Sequence, residues 1–167
     1  MIKLRTMTTA YLVNNKDILL MKRALNRKFA PGVWVGVGGH VEPDEINEPK
    51  EACLREIFEE TGISRKDIKD FKLKYIILRK SKDEIRLQYV YFGISEKREF
   101  LDTDEGKLFW VNKKELFNRE LSTTTRYLLE HYIDYGNSFK DVLVGTVKCE
   151  SNKPVMNWCP VQDWEEI

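Results

Sequence analysis

Cysteine is scarce in this sequence. The three present, Cys53, Cys149 and Cys159, are an odd number with no Cys-x-x-Cys spacing, so neither a disulfide framework nor a zinc site is readable. Histidine is scarcer. His40 and His131 each stand alone, and a lone histidine reads as a surface or hydrogen-bonding residue before it reads as a ligand. No apolar run approaches the roughly 18 residues of a membrane span. The start, "MIKLRTMTTAYLV", lacks the separate apolar segment and cleavage site of a signal peptide. An excess of one charge is missing too: 28 Lys and Arg against 27 Asp and Glu leave a net charge of +1. No overall field draws in a polyanion, which counts against nucleic acid as an obligate partner and leaves "LRKSKDEIR" (78–86) as a local basic patch. The expectation is a cytoplasmic enzyme or small-molecule-binding protein with no membrane partner.

What is present suits a globular chain. It has 167 residues, 42% hydrophobic and 33% charged, with no internal repeat. That length favours one domain over 1–167. "TMTTAYLV" (6–13) and "DILLMKR" (17–23) are β-rich runs separated by "NNK" and read as a hairpin. Residues 26–45 carry four glycines and two prolines around a short apolar strand, Val33 to Val37. Pro49 suits the first turn of a helix, which runs to about Thr61 and stops at Gly62. Strands are expected at 71–80, 85–95 and 107–112, a helical turn at "KKELF", and a second helix over 123–135 with Leu128, Tyr132 and Tyr135 near one face. A terminal strand pair, 141–150 and 153–161, completes an α/β chain with a mixed sheet between helices.

"REIFEETGI", 55–63, holds three glutamates in nine residues. At helical spacing Cys53, Leu54, Ile57, Phe58 and Thr61 span an arc of about 140°, and Glu56, Glu59 and Glu60 an arc of about 100° on the opposite side. Like charges at i, i+3 and i+4 repel, and only Arg55 to Glu59 offers i,i+4 relief. Solvated surface would explain such a face alone. The glycine-rich "GVGGHVEPDE" just upstream can fold back over it, however. A carboxylate cluster beside a free backbone carbonyl suits a hard divalent cation such as Mg²⁺.

Gly39 to Ile63 resembles the Nudix box, G-x5-E-x7-R-E-U-x-E-E-x-G-U with U apolar. Gly39, Glu45, Arg55, Glu56, Ile57, Glu59, Glu60, Gly62 and Ile63 match in order. Nine residues, "INEPKEACL", separate Glu45 from Arg55 where the pattern has seven. The two extra fall at 46–48, before Pro49, so they lengthen the loop and leave the helix register intact. Asp44 stands where the family often has glycine, and aspartate tolerates a left-handed backbone better than most residues. "LLMKR", "APGVWVGVGGHVE" and "FWV" resemble the family in order and spacing.

The resemblance implies an α/β/α sandwich around a mixed β-sheet. It also implies a Mg²⁺-dependent hydrolase, with Mn²⁺ a possible substitute, that cleaves a diphosphate linkage in a small nucleotide. By residue matching, Glu56, Glu59, Glu60 and Glu105 would be metal ligands, with the Gly38 carbonyl a further one. Arg55 would orient Glu56 or Glu59, and Glu45 would brace the loop. Glu59, Glu60 and Glu105 are alternatives for the general base. Lys22, Arg23 and Gly39 are candidates for phosphate binding, and Trp34 and Trp110 for core or pocket wall.

"DVLVGTVKCESNKPVMNW" and the glycine turn loosely resemble the oxidised-purine nucleoside triphosphatases, which leans the reading toward 8-oxo-dGTP. Two departures oppose base selectivity. Val35 stands where that family's purine-reading asparagine would be, and no counterpart of its Trp-Pro-Asp-Asp stretch occurs near "NRELSTTTRYLL". The expectation is tight recognition of phosphates and loose recognition of the base. An RNA 5′-end pyrophosphohydrolase and a non-catalytic nucleotide-binding module are the alternatives.

Overall fold

The computed structural model describes residues 1–26, 30–101, 103–136, 138–163 and 165. Strand β1 (Lys3–Asn14) turns at Asn15, whose φ is 53°, into β2 (Asp17–Arg23). Only Trp34–Val35 of the next apolar run is strand, β3, which pairs with β2. The expected strand to Val37 is shorter because the chain leaves β2 at Gly36 and crosses to β1. There Ala10 and Val37 exchange both backbone bonds, at 2.7 and 3.1 Å. A 3-10 turn, Pro43–Glu45, precedes helix α1 (Pro49–Thr61). Then follow β4 (Ile68–Ser81), β5 (Glu84–Ser95), β6 (Gly106–Asn112), a 3-10 turn at Lys113–Asn118, helix α2 (Thr123–Tyr135), β7 (Val142–Glu150) and β8 (Lys153–Val161).

All eight strands lie in one mixed sheet, ordered β3-β2-β1-β5-β4-β7-β8 with β6 also on β2. The β1–β5 and β4–β7 pairs are parallel and the others antiparallel. Where β1 and β2 lie in the middle of the sheet both faces are covered, and there residues 10–12 and 18–21 are buried runs. On one face Tyr11, Leu20, Tyr75, Ile77, Val90 and Phe92 pack with Leu128 and Leu129 of α2. On the other, Ala10, Leu12, Leu19, Met21 and Tyr91 pack with Cys53, Leu54 and Ile57 of α1. The α/β/α sandwich is as expected.

Helix α1 has the expected ends. Pro49 opens it, and Gly62, left-handed at φ 70°, closes it by donating to the Phe58 carbonyl at 2.8 Å. Its buried face differs from the expected one. Phe58 is 56% exposed, whereas Glu60 is 8% exposed. On the helical wheel Glu60 lies only about 20° from Cys53, and Phe58 is the outermost apolar residue on the other flank. A small rotation toward Glu60 exchanges the two. In α2, Tyr135 is likewise exposed, while Leu129 shares the buried face with Leu128. Asp44 sits in the 3-10 turn and is not among the residues with positive φ, so no left-handed backbone is demanded of it.

Candidate active site

The glycine turn brings the glutamates of α1 to the sheet. Gly38 has φ +140°, and a Cβ there would strike the Thr8 carbonyl. The backbone clash and the positive φ require glycine at Gly38, while a Cβ on Gly39 would meet the Glu56 carboxylate and displace it. Gly38 N–H donates to Glu60 Oε2 at 2.8 Å. Burial pushes the Glu60 carboxyl up to about 8; the Gly38 bond opposes this, and the charges of Glu105 and Glu56 reinforce it. Burial also raises Glu56, against the pull of Arg55.

Arg55 organises the remaining acids. Its Nε and Nη2 donate to the two oxygens of Glu45 at 2.8 and 2.9 Å. Nη1 donates to Glu56 and to Glu59, each at 3.0 Å, and Nη2 also reaches the His40 carbonyl at 3.2 Å. One guanidinium fork thus ties the loop to two glutamates. Arg55 holds the Glu45 carboxyl below its usual value. Despite the two extra loop residues, the Glu45–Arg55 pair is closed and the helix register is kept.

Glu56, Glu59, Glu60 and Glu105 line one cavity of about 790 Å³, with Gly38 and Gly39. Arg55, Arg23 and Val35 line it as well. Lys22 does not. It alternates with Met21 and Arg23 along β2, so its side chain leaves by the opposite face and is exposed. His40 borders the cavity, Trp34 is core against Phe109, and Trp110 donates to the Arg98 carbonyl at 2.9 Å. His131 packs between Tyr75 and Trp158, and its Nδ1 is 3.1 Å from the Tyr75 hydroxyl.

Half the cavity wall was not foreseen. Arg79 and Arg86 sit directly opposite each other on β4 and β5, and Arg5 of β1 is in register with Arg86. These three line the cavity with Gln88 and the first turn of α2. The patch "LRKSKDEIR" contains two of these arginines. Its basic character was visible in the sequence, but its pairing register and the face it covers were not.

Among the described residues no three acidic, histidine or cysteine side chains converge as a ready metal cage. Mg²⁺ needs no such cage, because it keeps waters and uses one or two carboxylates with substrate phosphates. The donors fit it: all are oxygens, and Glu60 is a desolvated carboxylate whose charge Glu105 and Glu56 oppose.

Comparison with known proteins identifies the family and the fold. A profile of the NUDIX domain matches residues 3–132. The chain is 35% identical over 134 residues to nucleoside triphosphatase NudI of Salmonella paratyphi B, covering 75% of this chain and 94% of that protein. The MutT protein of Bacillus halodurans superposes with a TM-score of 0.72 at 22% identity, covering 92% of this chain and 97% of that one. The MutT NUDIX hydrolase of Burkholderia pseudomallei gives a TM-score of 0.64 at 27% identity, covering 77% and 97%.

Proposed function

The chain belongs to the Nudix family, and from that premise we propose that it is a Mg²⁺-dependent pyrophosphohydrolase converting nucleoside triphosphates to monophosphates and pyrophosphate. The observation that carries this is the Glu60 carboxylate, buried against Gly38 in a cavity shared with Glu56, Glu59 and Glu105. The whole chain would act as one catalytic domain, since β7 and β8 continue the same sheet. Its work would lie in the cytoplasm, where such nucleotides are abundant. No helix among the described residues is long and apolar enough to cross a membrane.

Glu56, Glu59, Glu60, Glu105 and the Gly38 carbonyl would hold Mg²⁺, or Mn²⁺ in its place. When bound, the cation would neutralise the diphosphate and polarise its P–O bonds. Arg23, on the cavity wall beside Glu60, would bind phosphate oxygens, and the Gly39 backbone would let them approach. One of Glu59, Glu60 or Glu105 would take a proton from water as the water oxygen bonds to phosphorus. The bridging P–O bond breaks, and its electron pair leaves with pyrophosphate. Arg55 would keep Glu56 and Glu59 directed inward.

NudI is named a nucleoside triphosphatase, which supports the triphosphate class. 8-oxo-dGTP would be one substrate among several, because Val35 offers the base only apolar contact. The test is a panel of nucleoside triphosphates including 8-oxo-dGTP, diphosphate sugars, dinucleoside polyphosphates and 5′-triphosphate RNA, each with Mg²⁺. Pyrophosphate with a nucleoside monophosphate is expected. Absence of turnover on every nucleotide, or a preference above about a thousandfold for 8-oxo-dGTP over dGTP, would overturn this reading in its catalytic or its substrate part respectively.

A further inference from the structure

The end of the cavity lined by β4 and β5 is centred on a guanidinium that can only donate, Arg79. Arg79 Nη1 donates to Thr124 Oγ1 at 3.0 Å, and Nη2 to Gln88 Oε1 at 3.1 Å. Gln88 Nε2 in turn donates to Thr9 Oγ1 at 2.6 Å, and the Thr9 hydroxyl to the Thr8 carbonyl at 2.9 Å. This chain has one direction. The Gln88 carbonyl and the Thr9 and Thr124 hydroxyl oxygens each receive one donor from within the protein, and the unspent N–H groups of Arg79, which has no acceptor of its own, are what this wall offers most strongly. A guanidinium has five N–H donors and no acceptor, and these two bonds use two of them. Arg79 Nε is buried with no hydrogen-bond partner, which is unfavourable unless it is compensated. The first turn of α2, at Thr123 and Thr124, faces the same space, and the N–H groups of a helix start have no intrahelical acceptor.

Charge points the same way. Arg5, Arg86 and Arg79 stand side by side across three neighbouring strands, and directly opposed like charges destabilise a sheet. Glu84 pairs with Arg5 at 2.9 Å and with Arg86. Among the described residues no carboxylate pairs with Arg79, whose bonded partners are neutral. A fold that accepts this arrangement gains when a ligand brings acceptors to it.

We propose that Arg79, held by Gln88 and Thr124, is a specificity-determining residue that selects nucleotides whose base carries an oxo group at purine C6 or pyrimidine C4 over those carrying an amino group there. The substrate class is then keto-base triphosphates: uracil or thymine over cytosine, hypoxanthine or guanine over adenine. An amine brought to this wall meets donor against donor, and a carbonyl oxygen meets a charge-assisted hydrogen bond. Val35, on the same cavity wall, adds apolar contact to the base and no preference of this kind.

This inference rests on the nucleotide reading above, so its test includes an arm that needs no chemistry. The substrate pairs are dITP with dATP and dUTP with dCTP, each differing by one oxo-for-amino exchange. We expect the keto member to have the higher kcat/KM by about tenfold or more, mainly through KM. Calorimetric binding of dIMP against dAMP, and of dUMP against dCMP, should follow the same order. Arg79→Met should bring both ratios to near one while changing values for the amino nucleotides less than threefold, and Arg79→Lys should restore part of the preference. A merely structural Arg79 would lower all substrates together, and that result overturns the proposal, as does equal binding of keto and amino monophosphates by the unaltered protein. Equal binding joined to tighter capture of nucleoside 3′,5′-bisphosphates would reassign the arginine row to a second phosphate and also overturn it. Absence of turnover with keto-selective binding would sink the hydrolase reading and leave this one standing.

Discussion

Glu60 carries two opposed demands. A carboxylate 8% exposed and raised to about 8 is costly as an anion in the metal-free protein, yet a cation site needs that anion. Glu60→Gln should therefore lower kcat by at least about two orders of magnitude and raise the melting temperature of the metal-free protein at pH 8.5. At pH 5 Glu60 is already protonated, and the two melting temperatures should converge. A variant that melts lower at pH 8.5 but equally at pH 5 would show that the negative charge itself supports the fold. Arg55→Lys keeps charge but not the fork that reaches Glu45, Glu56 and Glu59. Its kcat/KM should fall by about 10- to 100-fold with little change in far-ultraviolet circular dichroism, because the clamp positions the acids and does not build the helix. Both residues were legible because a local helix repeat fixes their spacing. Arg79 and Gln88 were not, because their meeting depends on the pairing of two strands and on where α2 docks.

At the scale of elements, α1 shows what periodicity can and cannot place. Its ends follow from Pro49 and Gly62, and its length from the run between them. Its rotation about its own axis does not, because four apolar residues with Thr61 and three acidic residues leave the boundary free by one position. The sheet settles it by burying Ile57 completely and turning Phe58 outward. Ile57→Ala should cost about 2–5 kcal/mol in denaturant unfolding, whereas Phe58→Gln, at a position 56% exposed, should cost less than about 1 kcal/mol. Equal losses would return Phe58 to the core face. The strands were legible as β-rich runs between turn residues, and β3 ended early because Gly36 lets the chain cross to β1. A Cβ at Gly36 would lie 2.6 Å from Thr9 Cγ2.

For the whole molecule, pH and metal act on one balance. Glu45 and Glu84 have carboxyls held low in the fold by Arg55 and Arg86, and Asp67 has one held low by Ser64. Their contribution is present above the unfolded carboxylate range and is lost as pH falls through their folded values. Glu60 works in the reverse sense. Its folded value of about 8 exceeds the usual 4.5, so its contribution is present below about 4.5 and is lost as pH rises through about 8. Without metal the melting temperature should therefore peak in weakly acidic solution and decline toward pH 9. With Glu60 as the proposed ligand, Mg²⁺ would have to displace its proton at low pH and would meet a ready anion at high pH, so its apparent affinity should rise by up to about tenfold per pH unit below 8 and level off above it. Differential scanning calorimetry at pH 6, 7.5 and 9, with EDTA and with 10 mM Mg²⁺, checks both statements. The stabilisation by Mg²⁺ should grow across the series in the unaltered chain and stay flat in Glu60→Gln. A flat response in both would remove Glu60 from the cation's ligands and leave Glu56, Glu59 and Glu105 to hold it.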